Sequence, residues 1–133
     1  MKTKDLTGYR VVAVHAHPDD ETLFMGGTLA SLAARGAEVT VITLTLGEDG
    51  EVIGEPYQGL ADHDQLGGFR ARELANALEA LGVKGIQLGG FGHFRDSGMA
   101  GSPSHENSRA LVNRIDEAAD SLGDELEAID PHA

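Results

Sequence analysis

The chain has 133 residues and no cysteine. That absence excludes a disulfide framework and any thiolate metal site, so a bound metal must rest on histidine and carboxylate side chains. Basic residues are scarce as well: 10 Lys and Arg stand against 22 Asp and Glu, a formal net charge of −12. An excess of that sign repels a phosphate backbone and an anionic bilayer, which removes nucleic acid and membrane surface as main partners. No run is apolar for the ~20 residues a bilayer span needs. The opening MKTKDLTGYR also lacks the apolar middle of a secretory signal. The expectation is a soluble, cytoplasmic protein. No repeat recurs and no linker divides the chain, so residues 1–133 are expected to form a single domain around one core.

What the sequence does contain is an alternation of two periodicities. RVVAVHA (10–16) and EVTVITLT (38–45) are β-branched apolar runs of strand length. Between them, DETLFMGGTLASLAARGA reads as a helix with Leu29, Leu32 and Ala33 on one face, Asp20 and Glu21 at its positive end, and Gly36 as its stop. Strand, helix and strand in succession form a βαβ unit with parallel strands. The glycine-rich, acidic stretch 46–64 predicts a long loop, and loops of that length inside a compact fold are usually functional or disordered. A second helix follows over 67–83, carried by Leu74, Leu78 and Leu81 and ended by Gly82. KGIQLGG predicts a short strand, and GGFGHFRDSGMAGSPS (89–104) a second loop. A last helix is expected near 105–122 through Leu111, Ile115, Ala118 and Leu122, ahead of an acidic tail. In an open parallel sheet ligands collect outside the carboxyl ends of the strands. The segment HAHPDDE and both loops begin at such ends, so three segments meet at one rim.

Clustered charges at a strand end cost stability unless water, hydrogen bonds or a metal satisfy them. In HAHPDDET (15–22), His17 and Asp20 stand three residues apart across a strand-to-helix turn and can converge on one ion, in a nitrogen and oxygen mix that suits Zn²⁺. Asp19 need not ligate, and a free carboxylate beside a metal can take a proton from water that the metal acidifies. These residues also have ordinary structural uses. Asp20 and Glu21 can cap a helix, and His15 can pack in its strand. His63 and His93 are loop residues without an assigned role. GGFGHF lacks the third glycine of a dinucleotide loop, and the first strand does not lead into Gly-x-Gly.

The string AHPDDE after an apolar strand, with TLGEDGEVIGE, DHDQLGGFRARELANALEALGV and LGGFGHFRDSGMAG further on, resembles the PIG-L/LmbE-like zinc deacetylases over most of residues 9–103. Within that family the resemblance is to the branch that deacetylates N-acetylglucosaminyl-inositol in mycothiol biosynthesis. It implies a Rossmann-like α/β fold, an open, mainly parallel sheet flanked by helices. It also implies a catalytic Zn²⁺, replaceable by Fe²⁺ in cells, and an N-deacetylase activity. Residue by residue, it makes His17 and Asp20 metal ligands, Asp19 the general base that later acts as acid, and Glu51, Arg70, Asp96 and Met99 contacts to the acetamido-sugar and inositol substrate. The chemistry suits those roles: a guanidinium fork and two acceptors for hydroxyls, and a thioether for an apolar ring face. Outside such a match, a surface ion pair, solvated acids and a gap-filling methionine would account for the same four residues.

One feature departs from the family. Its third metal ligand is a histidine beyond the next strand, which this sequence does not reach, and EAIDPHA resembles the Pro-His ahead of that strand, so His132 is not expected to be the ligand. The expectation is a truncated sheet with an apolar edge open to pairing, covered by a partner such as a second copy. The alternatives are a non-catalytic sugar- or metal-binding remnant, or a deacetylase for another N-acetylated amino sugar.

Overall fold

The computed structural model describes residues 3–133. Three strands, β1 (Arg10–His15), β2 (Glu38–Thr43) and β3 (Lys84–Gln87), form a parallel sheet in the order β1-β2-β3. Arg10 stands opposite Glu38 and His15 opposite Thr43, while Thr40 to Thr43 run beside Lys84 to Gln87. Four helices accompany the sheet: α1 (Asp20–Ala34), the single turn α2 (Gly59–Asp62), α3 (Leu66–Leu81) and α4 (Ile115–Ile129).

Side chains alternate across a strand, so each strand feeds two cores. Ala13, Val39 and Val41 pack with Leu29 of α1 and with Leu74 and Leu78 of α3 on one face. Ile42 and Leu88 pack with Phe94 and with Ala118 of α4 on the other. The result is helix, sheet, helix, as the alternating periodicities predict. Gly36 and Gly82 end α1 and α3 as expected, with φ of +95° and +75°. At each end the glycine N–H bonds back to Ala33 or Glu79, and the next N–H to Leu32 or Leu78, which satisfies the last carbonyls of the helix.

Two expectations are corrected. The stretch 46–64 is not all loop: a 3₁₀ turn at Glu55–Tyr57 and α2 interrupt it. The last helix starts at Ile115 rather than near 105, and runs through the acidic tail to Ile129 instead of ending at 122. Residues 109–111 are held elsewhere, because Arg95 N–H bonds Arg109 O and Leu111 N–H bonds Arg95 O, each at 2.9 Å. That long-range pairing keeps 109–110 out of any helix, and Leu111 only opens the short 3₁₀ turn Leu111–Asn113.

Beyond α4 the chain returns to the free side of β1. His132 N–H donates to Arg10 O at 2.8 Å, and Val12 N–H to Ala133 O at 2.9 Å, bonds that advance together along both segments as in a parallel pair. The chain therefore adds β2 and β3 on one side of β1, and its last residues bond along the other. Open α/β sheets bind ligands outside the carboxyl ends of their strands.

Candidate functional site

The rim at the carboxyl end of β1 carries two adjoining clefts, of about 450 and 430 Å³. Gly50 and Arg70 line both and separate them. His17, Asp20, Asp96 and Met99 face the first cleft, while Asp19 and Glu51 face the second, beside Tyr57 and Phe69. All seven residues singled out in the sequence thus lie along one rim.

The turn between β1 and α1 sets the first two donors. His17 N–H donates to Asp20 Oδ2 at 3.0 Å, which closes the turn and leaves the carboxylate beside the imidazole. His17 Nδ1 and Asp20 Oδ2 are 3.5 Å apart. In a tetrahedral zinc site with ligands at ~2.0–2.2 Å, two donor atoms sit roughly 3.3–3.6 Å apart, so this pair has the chemistry and spacing of two of the four positions. Among the described residues, no third histidine, aspartate or glutamate completes the group. His132 lies alongside Arg10 at the start of β1, the opposite end of the strand from His17.

Asp19 is the N-cap of α1 with φ +86° and ψ −27°, a left-handed conformation that a non-glycine residue adopts at a cost. Its side chain makes no capping bond and is half exposed, with Oδ2 3.9 Å from Arg70 Nη2. Glu21 lies in the first turn of α1, the positive helix end where the sequence places it, but makes no capping bond. It is fully buried, with Oε1 accepting from Thr22 Oγ1 and Oε2 without a partner.

Arg70 braces the rim. Nη1 donates to Gly47 O at 2.9 Å and Nη2 to Pro18 O, which tie the loop after β2 to the β1–α1 turn. Asp96 is 8% exposed and is gripped from three sides: Oδ1 meets His17 Nε2 at 3.1 Å and accepts from Gly98 N–H at 3.3 Å, and Oδ2 accepts from Asp49 N–H at 3.2 Å. Its hydrogen bond raises the pKa of His17 against the opposing effect of burial. For Asp96 itself burial acts upward, and the bond and charge of His17 with the two backbone donors outweigh it, so its carboxyl stays below the usual range. Met99 is 82% exposed at the mouth of the cleft and Glu51 is exposed beside it.

Two supports escape the sequence reading. Arg95 Nη2 donates to Asp64 Oδ1 at 2.9 Å and Nη1 lies 4.0 Å from Glu48 Oε2, so one guanidinium joins the loop after β2 to the loop after β3. The unassigned His93 pairs its Nε2 with Glu117 Oε1 at 2.7 Å and sets its ring edge-on to Phe94. Neither pairing has a local motif, since the partners come from distant segments.

Known proteins resemble this chain in sequence and in fold. Residues 12–129 match the family described as PIG-L: GlcNAc-PI de-N-acetylase. The 1D-myo-inositol 2-acetamido-2-deoxy-alpha-D-glucopyranoside deacetylase of Corynebacterium glutamicum (strain R) is 59% identical over 134 residues, covering 99% of this chain and 46% of that protein. The chain thus spans slightly less than half the length of that curated relative. Among solved structures, N,N'-diacetylchitobiose deacetylase from Pyrococcus horikoshii is 32% identical with a TM-score of 0.55, over 66% of this chain and 30% of that one. The zinc inhibited form of teicoplanin deacetylase Orf2 is 26% identical with a TM-score of 0.63, over 92% of this chain and 53% of that one.

Proposed function

The chain belongs to the PIG-L family of GlcNAc-PI de-N-acetylases, and on that premise we propose that its rim forms part of the site of a metal-dependent deacetylase acting on N-acetylglucosaminyl-inositol, a step of mycothiol biosynthesis. The observation that carries the reading is the His17–Asp20 donor pair, at ligand spacing beside the Asp19 carboxylate, at the carboxyl end of β1. The strength of the match to a protein named for that substrate supports the choice of sugar.

In this reading His17 and Asp20 would hold Zn²⁺, or Fe²⁺ in cells, and the bound cation would supply Lewis acidity towards water and the acetyl carbonyl. Asp19 takes the proton of the attacking water on a carboxylate oxygen, then returns it to the departing sugar nitrogen as acetate leaves. Its half-exposed side chain keeps the rotational freedom this needs. Arg70 and Glu51 offer donors and acceptors to sugar and inositol hydroxyls, Asp96 lines the same wall, and Met99 covers a ring face.

The test is metal content per chain after dialysis against zinc, with amine release assayed on N-acetylglucosaminyl-inositol. About one zinc with amine release is the expected result. Retained zinc with release only from another acetamido sugar would overturn the substrate. Neither zinc nor amine would overturn the enzyme reading in favour of a remnant that keeps the rim without its chemistry, as the two-donor set taken alone would suggest.

A further inference from the structure

The resemblance gives Asp96 to the substrate, yet its hydrogen bonds point inward. A carboxylate has about four acceptor sites, and three are used, by His17 Nε2, Gly98 N–H and Asp49 N–H. The partners come from the β1–α1 turn, the loop after β2 and the loop after β3, so the group is immobilised where those segments meet. Gly98 makes the closure possible: a Cβ there would sit 2.6 Å from Asp49 Oδ2 and 2.8 Å from Ser102 Oγ.

A neutral imidazole has one N–H and one lone pair, and a carboxylate only accepts. Two carboxylates flank the ring, and Asp96 at 3.1 Å from Nε2 is nearer than Asp20 at 3.5 Å from Nδ1, which in a neutral ring favours the proton on Nε2 and the lone pair on Nδ1. A histidine that binds metal through one nitrogen typically donates the other N–H to a carboxylate, which fixes the tautomer and ring plane and raises its basicity.

We propose that Asp96 is a positioning residue for His17, holding the Nε2–H tautomer so that Nδ1 faces the cleft, and not primarily a substrate contact. Through Asp49 N–H the same carboxylate sets the loop after β2, so its removal loosens the donor and the wall together. The consequence for metal affinity rests on the reading of His17 as a ligand; the tautomer does not.

The experiment uses the full metal-free chain with ¹⁵N-labelled histidine at mildly alkaline pH, the His17 resonances being assigned with His17→Gln. A protonated, slowly exchanging Nε2 in the parent, whose N–H signal vanishes in Asp96→Ala, is the expected result. A proton on Nδ1, or an Nε2–H unchanged by the substitution, overturns the inference. Co²⁺ titration supplies the second arm. Affinity should fall roughly 10–100-fold in Asp96→Ala, and at least several-fold in the same-sized Asp96→Asn, which keeps the volume if the alanine variant fails to fold, while Asp124→Asn, exposed on α4, should bind as the parent does. Equal affinity in both Asp96 variants overturns the positioning role. A parent that binds no Co²⁺ overturns the metal-site reading instead, and the imidazole spectrum then decides the tautomer alone.

Discussion

At the scale of single residues, the two aspartates of the turn are adjacent in sequence and opposite in use. Asp20 is folded back on His17 N–H, whereas Asp19 spends backbone strain to reach the rim with no capping bond and a 3.9 Å ion pair to Arg70. Such strain persists where the surroundings over-determine it, typically at functional sites. If Asp19 is the base, Asp19→Asn should lower amine release about 10²–10⁴-fold while zinc content after dialysis stays at the parent level. Asp20→Ala should instead lose zinc. Equal activity in Asp19→Asn and parent would remove the assigned role. The Arg95 guanidinium bonds Asp64, and with its charge it holds that carboxyl below its usual value of 3.8. A carboxylate depressed in the folded state contributes fully above its unfolded pKa, and the contribution fades as pH falls through the folded value. A ¹³C titration of the Asp64 carboxyl should show a midpoint below 3.8, returning to it in Arg95→Ala. An unshifted midpoint in the parent would deny the tie between the two rim loops.

At the scale of elements, β1, β2, β3, α1 and α3 are legible because their evidence is local. Alternating β-branched residues, leucines at helical spacing and a glycine after each helix all act within a few residues of one another. Gly82 offers a clean measure of that local contribution. Its φ is +75°, and an added Cβ would touch only Ala33 Cβ, at an ordinary 3.7 Å. Gly82→Ala should therefore destabilise by about 1–2 kcal/mol, the cost of a left-handed non-glycine residue, with no packing term. Urea unfolding would register it as a lower midpoint at unchanged slope, and no shift would mean that the helix end relaxes. The start of α4 was illegible for the opposite reason. Residues 109–111 obey a partner at Arg95, and Gly123 inside the helix costs only about 1 kcal/mol against the packing of Leu122 and Ile129 on the sheet.

At the scale of the whole molecule, the charge balance and the open side of β1 act together. Val14 remains 39% exposed, and on the side of β1 away from β2 residues 132–133 are, among the described residues, the ones that bond its backbone. Leu23 and Phe24, near the start of α1, are about three-quarters exposed. A fold with so much uncovered apolar surface near its site draws more of its stability from whatever binds there. A ligand that binds only the native state stabilises it by about 2.7 kcal/mol at a hundredfold excess over its dissociation constant. Zn²⁺ should accordingly raise the melting temperature of the parent and leave Asp20→Ala unmoved. Equal shifts in the two proteins would assign the binding to some other part of the acidic surface.

The sequence by itself determined the class of fold, the carboxyl end of β1 as the candidate site, and histidine and carboxylate as the side chains on which any metal would rest. These follow from short-range periodicity, from the absence of cysteine and from a motif whose donors lie three residues apart. Tertiary structure alone decided which nitrogen of His17 faces the cleft, since the deciding carboxylate is Asp96, 79 positions along the chain. It also decided that Arg70 braces two segments by donating to their backbone, and that Glu21 is sealed beneath α1. In each case the partner or the burial comes from a segment that only folding brings near, and no local pattern of residues encodes that proximity.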